Sequence, residues 1–519
     1  MVDQFIERKI IIGLITSTEF ISEIRDVFHL KLLSSVMAKR LAGWCLEYYD
    51  KFGKAPSKDI EGIYYNKLNH GLSKEVGKDI EEVLSELNDD YVQSSEDIAV
   101  LIAQAKEYFQ EKGLKEHTDK ISTLLEQGEI EEASTIASNF KSVIVSENTT
   151  IDLSNAESLI KVDLAFKETK EPLIYYPKQL GVFWNDQFIR GNFVALMGSE
   201  KRGKTFWLMD MAMRAARQGR QVAFFQAGDM TESQQLRRMA IHLTKTSDME
   251  QYCGVMYEPI PDCVYNQMDR CDRKERECDF GIFPDKSLVE LRDSTTFEEL
   301  KEVYEDNPEY KSCYNCPEYQ RNAWGTPWLR KIEVKTPLDA KKARETIEKF
   351  FVKSNRKLIL SSHPNNSLTI SKIRSMLYSW KKRYNFIPEL VIIDYADLLV
   401  PERRSEFRHQ QNEIWMGLRS LSQEDYDGIQ PLVITATQAD TDSYTKSLLS
   451  LKNFSEDKRK YAHVVAMYGL NQDPLGREKK IGIMRINEMV KREGDFNNKN
   501  VIHVLQNLRR GQPFIGCYL

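Results

Sequence analysis

The sequence predicts an α/β core, a largely parallel sheet flanked by helices, preceded by an all-α N-terminal domain and interrupted by a Cys-rich insertion. Three observations predict it. From Gly191 onward, short apolar runs alternate with helical stretches. Before about residue 148, apolar residues recur at helical spacing and proline is nearly absent. Six of the eight cysteines fall between Cys253 and Cys316.

In the first domain, residues 1–148, Ile21 to Trp44 and Ile98 to Phe109 carry the helical spacing, and Lys51 to Ser57, with Gly53 and Pro56, reads as a connector. Residues 149–178 form a linker. Its helix, about Ser154 to Lys167, is closed by Pro172 and Pro177 and sets Leu159, Val162, Leu164 and Phe166 beside charged residues. Such a face suits docking on an adjacent subunit or on its own domain alike. In residues 179–519 the expected strands are Phe193 to Met197, Val222 to Phe225, Leu358 to Leu360, Leu390 to Ile393, Leu432 to Thr435 and Val464 to Met467. Ile481 to Ile486 and Val501 to Leu505 lack a helix between them and would pair as antiparallel edge strands. The insertion spans 252–328.

A chain of 519 residues is too long for one core, and about 150 residues per domain suggests two to four units. With 41% hydrophobic and 29% charged residues and a mean hydropathy of -0.50, it belongs with folded soluble chains rather than disordered, collagenous or coiled-coil ones. The apolar run Ile10 to Ile15 is too short to span a membrane and no small-residue cleavage site follows it, so the expectation is a cytoplasmic chain without membrane association. The net charge of -5 counts against a simple DNA-coating protein; nucleic-acid contact would have to come from local clusters of Lys and Arg.

One motif carries phosphate chemistry. Gly198, Ser199, Glu200, Lys201, Arg202, Gly203, Lys204 and Thr205 fit G-x-x-x-x-G-K-[ST], between an apolar strand and a helix opened by Phe206. The glycines let backbone N–H groups wrap the phosphates of ATP, the helix N-terminus adds positive potential, Lys204 reaches the β and γ phosphates and Thr205 ligates Mg2+. A second carboxylate is needed on the magnesium side, and the strand Leu390 to Ile393 delivers Asp394 at its end. The next strand ends in Gln438, whose amide would contact the γ phosphate. Single aromatic and histidine residues elsewhere, Trp380, Trp415, Phe386 and His363, read as structural.

Several segments, in order, resemble the DnaB family of hexameric replicative helicases, which are RecA-like ATPases. Gly191 to Met197 is similar to that family's lead-in strand, and Ala227-Gly228-Asp229-Met230-Thr231 to the stretch carrying its water-activating Glu. Thr369 to Arg374 and Ile393-Asp394-Tyr395 match the magnesium-side strand and its approach. Arg403-Arg404-Ser405-Glu406 to Ile414 resembles the first DNA loop and its helix, Arg509-Arg510-Gly511-Gln512-Pro513 the arginine-finger turn, and Glu7-Arg8 with Ile12 to Ile15 the opening N-terminal helix. Three departures stand out. Asp229 replaces Glu, shortening the reach by roughly 1.5 Å in a site where about 1 Å matters. Asn507 stands where the family has Lys. The Cys-rich segment is absent from common bacterial members and resembles phage-encoded ones.

The resemblance implies a homo-hexamer with ATP between subunits, moving 5′ to 3′ on single-stranded DNA at a replication fork and working with a primase and possibly a loader or polymerase. Its catalytic set would be Lys204, Asp229, Asp394 and Gln438, with either Arg509 or Arg510 reaching a neighbour's nucleotide, where such an arginine is worth about 10³ to 10⁵ in rate. Arg403, Arg404 and Arg408, with Lys446 and Lys452, would meet DNA phosphates without reading bases. Two other classes share the core: a RecA or RadA-like recombination ATPase, against which the N-terminal helices argue, and an ATP-binding loader or adaptor, which Asp229 and Asn507 leave open.

The cysteines add a further expectation. Cys313-x-x-Cys316 has the spacing of a metal knuckle, and Cys263, Cys271 and Cys278 offer the remaining thiolates, four of the five for one structural Zn2+.

Overall fold

Leu390 to Ile393 are fully buried, with alternate residues entering the cores on opposite sides of one sheet, the arrangement that a near-continuous apolar strand requires. The computed structural model describes residues 2–25, 28–69, 74–93, 98–138, 158–167, 171–314, 324–402, 407–453, 458–497 and 499–519. The chain divides into two units, Met1–Lys167 and Glu168–Leu519.

The second unit contains β1 (Phe193–Gly198), β2 (Val222–Gln226), β3 (Gly254–Cys263), β4 (Gly325–Val334), β5 (Leu358–Ser362), β6 (Leu390–Asp394), β7 (Leu432–Gln438), β8 (Ala466–Asn471), β9 (Ile483–Lys491), β10 (Val501–Asn507) and β11 (Gln512–Tyr518). Among the described residues, nine of these form one mixed sheet in the order β11-β10-β9-β8-β1-β7-β6-β2-β5. Neighbours from β8 to β5 run parallel, and β8 to β11 are joined antiparallel. The sheet is therefore less parallel than its apolar runs suggest. β11 adds a third antiparallel strand, hidden in the sequence by Pro513 and Gly516, which break the pattern of a strand.

Period-two alternation builds a core on each face. Val194, Leu196, Phe224, Ile392 and Ile434 pack with Trp207, Leu208 and Met211 of helix Lys204–Arg217. Phe193, Ala195, Phe225, Ile393 and Val433 pack with Ile373 and Leu377 of helix Ile370–Tyr384 and with Trp415 and Leu418 of helix Phe407–Gln423. Truncating a fully buried member such as Ile392 to Ala would cost about 2–5 kcal/mol. The parallel connections bring Gly198, Gln226, Asp394 and Gln438 to the same end of the sheet, because Gly198 is in register with Gln438 and Gln226 with Asp394. Ligands bind at such carboxyl ends in open α/β sheets.

The first unit is helical, its longer helices being Val2–Thr16, Val36–Phe52, Lys74–Gln93 and Ile98–Glu126. Its core gathers Ile10, Leu14, Phe20, Ile21, Leu41, Trp44, Tyr108 and Phe109. Glu7 is buried within it and satisfied, accepting from the Ser34 and Ser35 N–H groups and from the Tyr108 hydroxyl at 2.6 Å. Among the described residues the linker helix is Ser158–Lys167, with Leu159, Val162 and Phe166 exposed on it, and residues 154–157 of its expected start lie outside the described residues.

A distinct Cys-rich domain, expected over residues 252–328, is not shown among the described residues. β3 and β4 pair as an antiparallel ribbon, from Gly254 with Val334 to Cys263 with Gly325, so the ribbon runs past the expected end of the insertion. The residues it encloses share a core with the antiparallel edge of the main sheet: Val264, Met268, Phe283, Leu300, Tyr310 and Trp328 pack with Ile481, Ile483, Leu505 and Tyr518. The apolar side chains of the segment are buried against that edge.

Candidate nucleotide site

β1 ends at Gly198, and the loop that follows turns through Gly203 at φ +81° into helix Lys204–Arg217. A side chain at Gly203 would be strained by that φ and would press on Leu508 Cδ1 at 3.0 Å. Lys204 is buried, and its Nζ donates to the carbonyl oxygens of Gly198 at 2.7 Å and Ser199 at 3.1 Å. Burial pulls its pKa down to about 8, against the upward pull of Asp397, Asp394, Glu200 and Asp229. Thr205 Oγ1 donates to Asp394 Oδ1 at 3.1 Å. The other oxygen, Asp394 Oδ2, is buried without a hydrogen-bond partner, and burial pushes the carboxyl up to about 7.

These groups wall a cavity of about 460 Å³ together with Glu200, Lys201, Arg202, Phe206, Asp229, Tyr395, Gln438, Arg238 and Leu508. Asp229 is exposed at its rim. Gln438 Nε2 donates to the Tyr395 hydroxyl at 2.7 Å. Ser199 points aside, its hydroxyl 2.7 Å from that of Ser443, and Arg202 donates to Gln472 Oε1 at 2.8 Å. Arg238 was invisible to sequence reasoning. It lies on helix Glu232–Thr244, stacks its guanidinium 5.0 Å from the Phe206 ring centroid and faces Asp394 and Asp229 electrostatically. Nothing in the sequence separates it from its neighbour Arg237.

No protein-family model matches the chain, and no curated protein sequence matches it. Among solved structures it is similar to a DnaB-like replicative helicase, described together with its interactions with primase, with a TM-score of 0.54 and 13% identity over 98% of each chain. The likeness is one of fold. A second solved structure, an ATPase domain, matches 70% of this chain and 98% of its own at a TM-score of 0.43 and 13% identity. The first likeness, over the whole chain, matches an α/β core of RecA-like fold with a helical unit preceding it in the sequence.

The DnaB-like fold places the two candidate finger arginines in unequal settings. Both lie in the turn between β10 and β11. Arg510 is engaged within the chain: Nη1 lies 2.6 Å from the buried Glu258 carboxylate and Nε donates to the Lys245 carbonyl at 2.8 Å. Arg509 is exposed, its guanidinium 5.2 Å from the Tyr252 ring centroid. The turn is anchored to helix Glu232–Thr244, since His242 Nδ1 lies 2.7 Å from the Gly511 carbonyl oxygen and Gln512 Nε2 donates to His242 O at 3.1 Å. Gly511, at φ +64°, approaches His242 so closely that a Cβ would fall 2.8 Å from the His242 Cα.

Lys446 and Lys452 are exposed on the segment after Gln438. Arg403 and Arg404 lie outside the described residues, and Arg408 falls in the first turn of helix Phe407–Gln423. No helix among the described residues is long and apolar enough to cross a membrane.

The expected zinc site is not borne out. Cys263, Cys271, Cys278 and Cys313 are half-buried, and no group of three or more His, Cys, Asp or Glu among the described residues could hold a metal ion; Cys316 lies outside those residues. Sequence spacing set two thiols near each other but could not aim the others. A carboxylate organises the segment instead. Asp262, fully buried, accepts on Oδ1 from the N–H groups of Cys263 (2.7 Å) and Cys313 (2.8 Å) and the Asn266 amide, and on Oδ2 from the Gln267 amide (3.0 Å) and the Tyr310 hydroxyl (2.7 Å). Burial pushes the Cys263 thiol up to about 11. Cys278 Sγ donates to the carbonyl oxygens of Phe280 and Lys311, each at 3.5 Å.

Proposed function

We propose that this chain is an ATP-dependent replicative DNA helicase, a homo-hexameric ring that translocates 5′ to 3′ on single-stranded DNA and unwinds the duplex at a replication fork. One observation carries the reading. A buried lysine, a threonine hydroxyl and a carboxylate with one unmatched oxygen meet in a single cavity at the carboxyl ends of a RecA-like sheet. That set fits a nucleoside triphosphate. Magnesium arriving with the nucleotide would be held by Thr205 and Asp394, where it would neutralise phosphate charge.

The chain's own groups then divide the work. Lys204 turns from the Gly198 and Ser199 carbonyls to the β and γ phosphates. Asp229, at the rim, orients the attacking water, and Arg238 and Gln438 bind the γ phosphate. The exposed Arg509 reaches the nucleotide of a neighbouring subunit, which makes the ring part of the active site. Lys446 and Lys452, with Arg403, Arg404 and Arg408, hold the DNA backbone in a salt-sensitive, sequence-tolerant way. A primase and a loader or polymerase are the partners this role requires, and the cytoplasm, a host's if the chain is phage-encoded, is the compartment.

The test is strand displacement on a forked DNA with a 5′ tail, in ATP and magnesium, comparing the native chain with Lys204→Ala. Native unwinding that the variant lacks supports the helicase reading. Rings that bind nucleotide yet neither unwind nor show DNA-stimulated hydrolysis would replace it with the loader or adaptor reading.

A further inference from the structure

Asp397, three residues beyond Asp394, joins its own segment to two others through one carboxylate. Its Oδ1 lies 2.7 Å from Lys460 Nζ and its Oδ2 accepts the Gln438 N–H at 2.9 Å, while the Thr437 hydroxyl reaches both oxygens at 3.0 and 2.8 Å. Asp397 stands at the root of the segment that leads to Arg408 and helix Phe407–Gln423. Thr437 and Gln438 end β7 and begin the segment carrying Lys446 and Lys452. Lys460 is where that segment returns toward β8. Lys460 is fully buried, with Nζ 5.8 Å from the ring centroid of Trp415 on the same helix Phe407–Gln423, and His463 Nε2 is 2.9 Å from Asn412 Oδ1 one turn earlier.

A buried ion pair is a poor choice for stability alone, because an apolar pair of similar volume holds a fold as well or better. This one takes the backbone of Gln438, the residue whose amide faces the nucleotide cavity, and ties it to the roots of both basic segments. We propose that Asp397 and Lys460 are positioning residues: they couple occupancy of the two basic segments by a single-stranded polynucleotide to the placement of the Gln438 amide. The inference rests on the reading under Proposed function and adds to it the regulation of hydrolysis by the strand. A strand held by Lys446 and Lys452 pulls on the segment that ends at Lys460. The shift passes through the Asp397 carboxylate to the Gln438 N–H.

The test uses the full chain and oligothymidylate, measuring ATP turnover with and without the strand, strand affinity and unfolding temperature, for native protein, Lys460→Met, Lys460→Arg and the charge-free pair Lys460→Met with Asp397→Asn. The native chain is read first: absence of strand-stimulated turnover overturns the function and the coupling together. Given native stimulation, the coupling requires that Lys460→Met keep the native basal rate and strand affinity while stimulation drops about 5-fold or more, with Lys460→Arg restoring it. Should Lys460→Met fail to fold, the double variant, which leaves no unpaired buried charge, must show the same loss. A folded double variant with native stimulation overturns the coupling alone. So does a fall in basal and stimulated rates in equal proportion, which is the mark of a purely structural pair.

Discussion

Arg510 Nη1 sits 2.6 Å from a Glu258 carboxylate that is only 2% exposed, and Arg330 pairs with the same carboxylate. The pair ties the β10–β11 turn to the ribbon strand β3 and leaves Arg509, one residue earlier, facing outward. Two adjacent arginines thereby stand in different settings.

Arg510→Ala is expected to lower stability by about 1–3 kcal/mol, since it strips one cation from a buried carboxylate that keeps another. Arg509→Ala should leave the unfolding temperature unchanged and cut turnover of the assembled protein by about 10³ or more. Thermal unfolding and turnover measured on both variants separate the two; an Arg509→Ala protein with native turnover would remove it as the finger.

Asp394 titrates near 7 in the folded chain because it is buried, well above its ordinary carboxylate value of 3.8. A folded-state value above the unfolded one means that the folded protein holds the proton more tightly. That stabilisation is complete below about pH 4 and is lost as pH rises through 7, a change on the order of a few kcal/mol. Lys204, at about 8, stays largely protonated from pH 5 to 7 and adds little slope there. The unfolding temperature of the nucleotide-free protein should therefore fall from pH 5 to 8, while Asp394→Asn flattens the curve. Parallel curves for the two proteins would refute the assignment.

Asp229→Asn is expected to reduce turnover by about 10² to 10⁴ with nucleotide affinity retained, as for a group that acts on the attacking water. Asp229→Glu tests the reach of the shorter carboxylate. Faster turnover in Glu than in Asp would mean that the native chain works with a water held less favourably.

Chelation should leave the unfolding temperature unchanged, because Asp262 and not a metal gathers the segment between β3 and β4. Asp262→Ala should destabilise by about 3 kcal/mol or more, since it orphans several buried donors at once, among them the Tyr310 hydroxyl and the Cys313 N–H. A chelator that lowers the unfolding temperature while this variant is tolerated would reverse the conclusion.

The strand, turn and helix start at Gly198–Thr205 were legible because their requirements are local: glycines for the turn, Lys204 and Thr205 at a helix start, an apolar strand before them. Asp394 was legible for the same reason, as the end of a run buried on both sides. Arg238, Asp397 and Lys460 carried no such signal, because their importance comes from what faces them across the sheet end. The cysteines misled because spacing fixes distance along the chain and not the direction of a thiol.

By itself the sequence determined the alternation of strands and helices, the helical N-terminal unit and the turn from strand to helix at Gly198–Thr205, since propensity and hydrophobic periodicity act within a few residues of each position. Only the tertiary structure decided that the Cys-rich segment packs on the sheet edge around Asp262, that Arg510 is committed to Glu258 while Arg509 is exposed, and that Lys460 closes on Asp397. Those outcomes depend on burial, which sets the cost of every unpaired charge and donor. Burial is a property of residues far apart in sequence, and no local pattern encodes it.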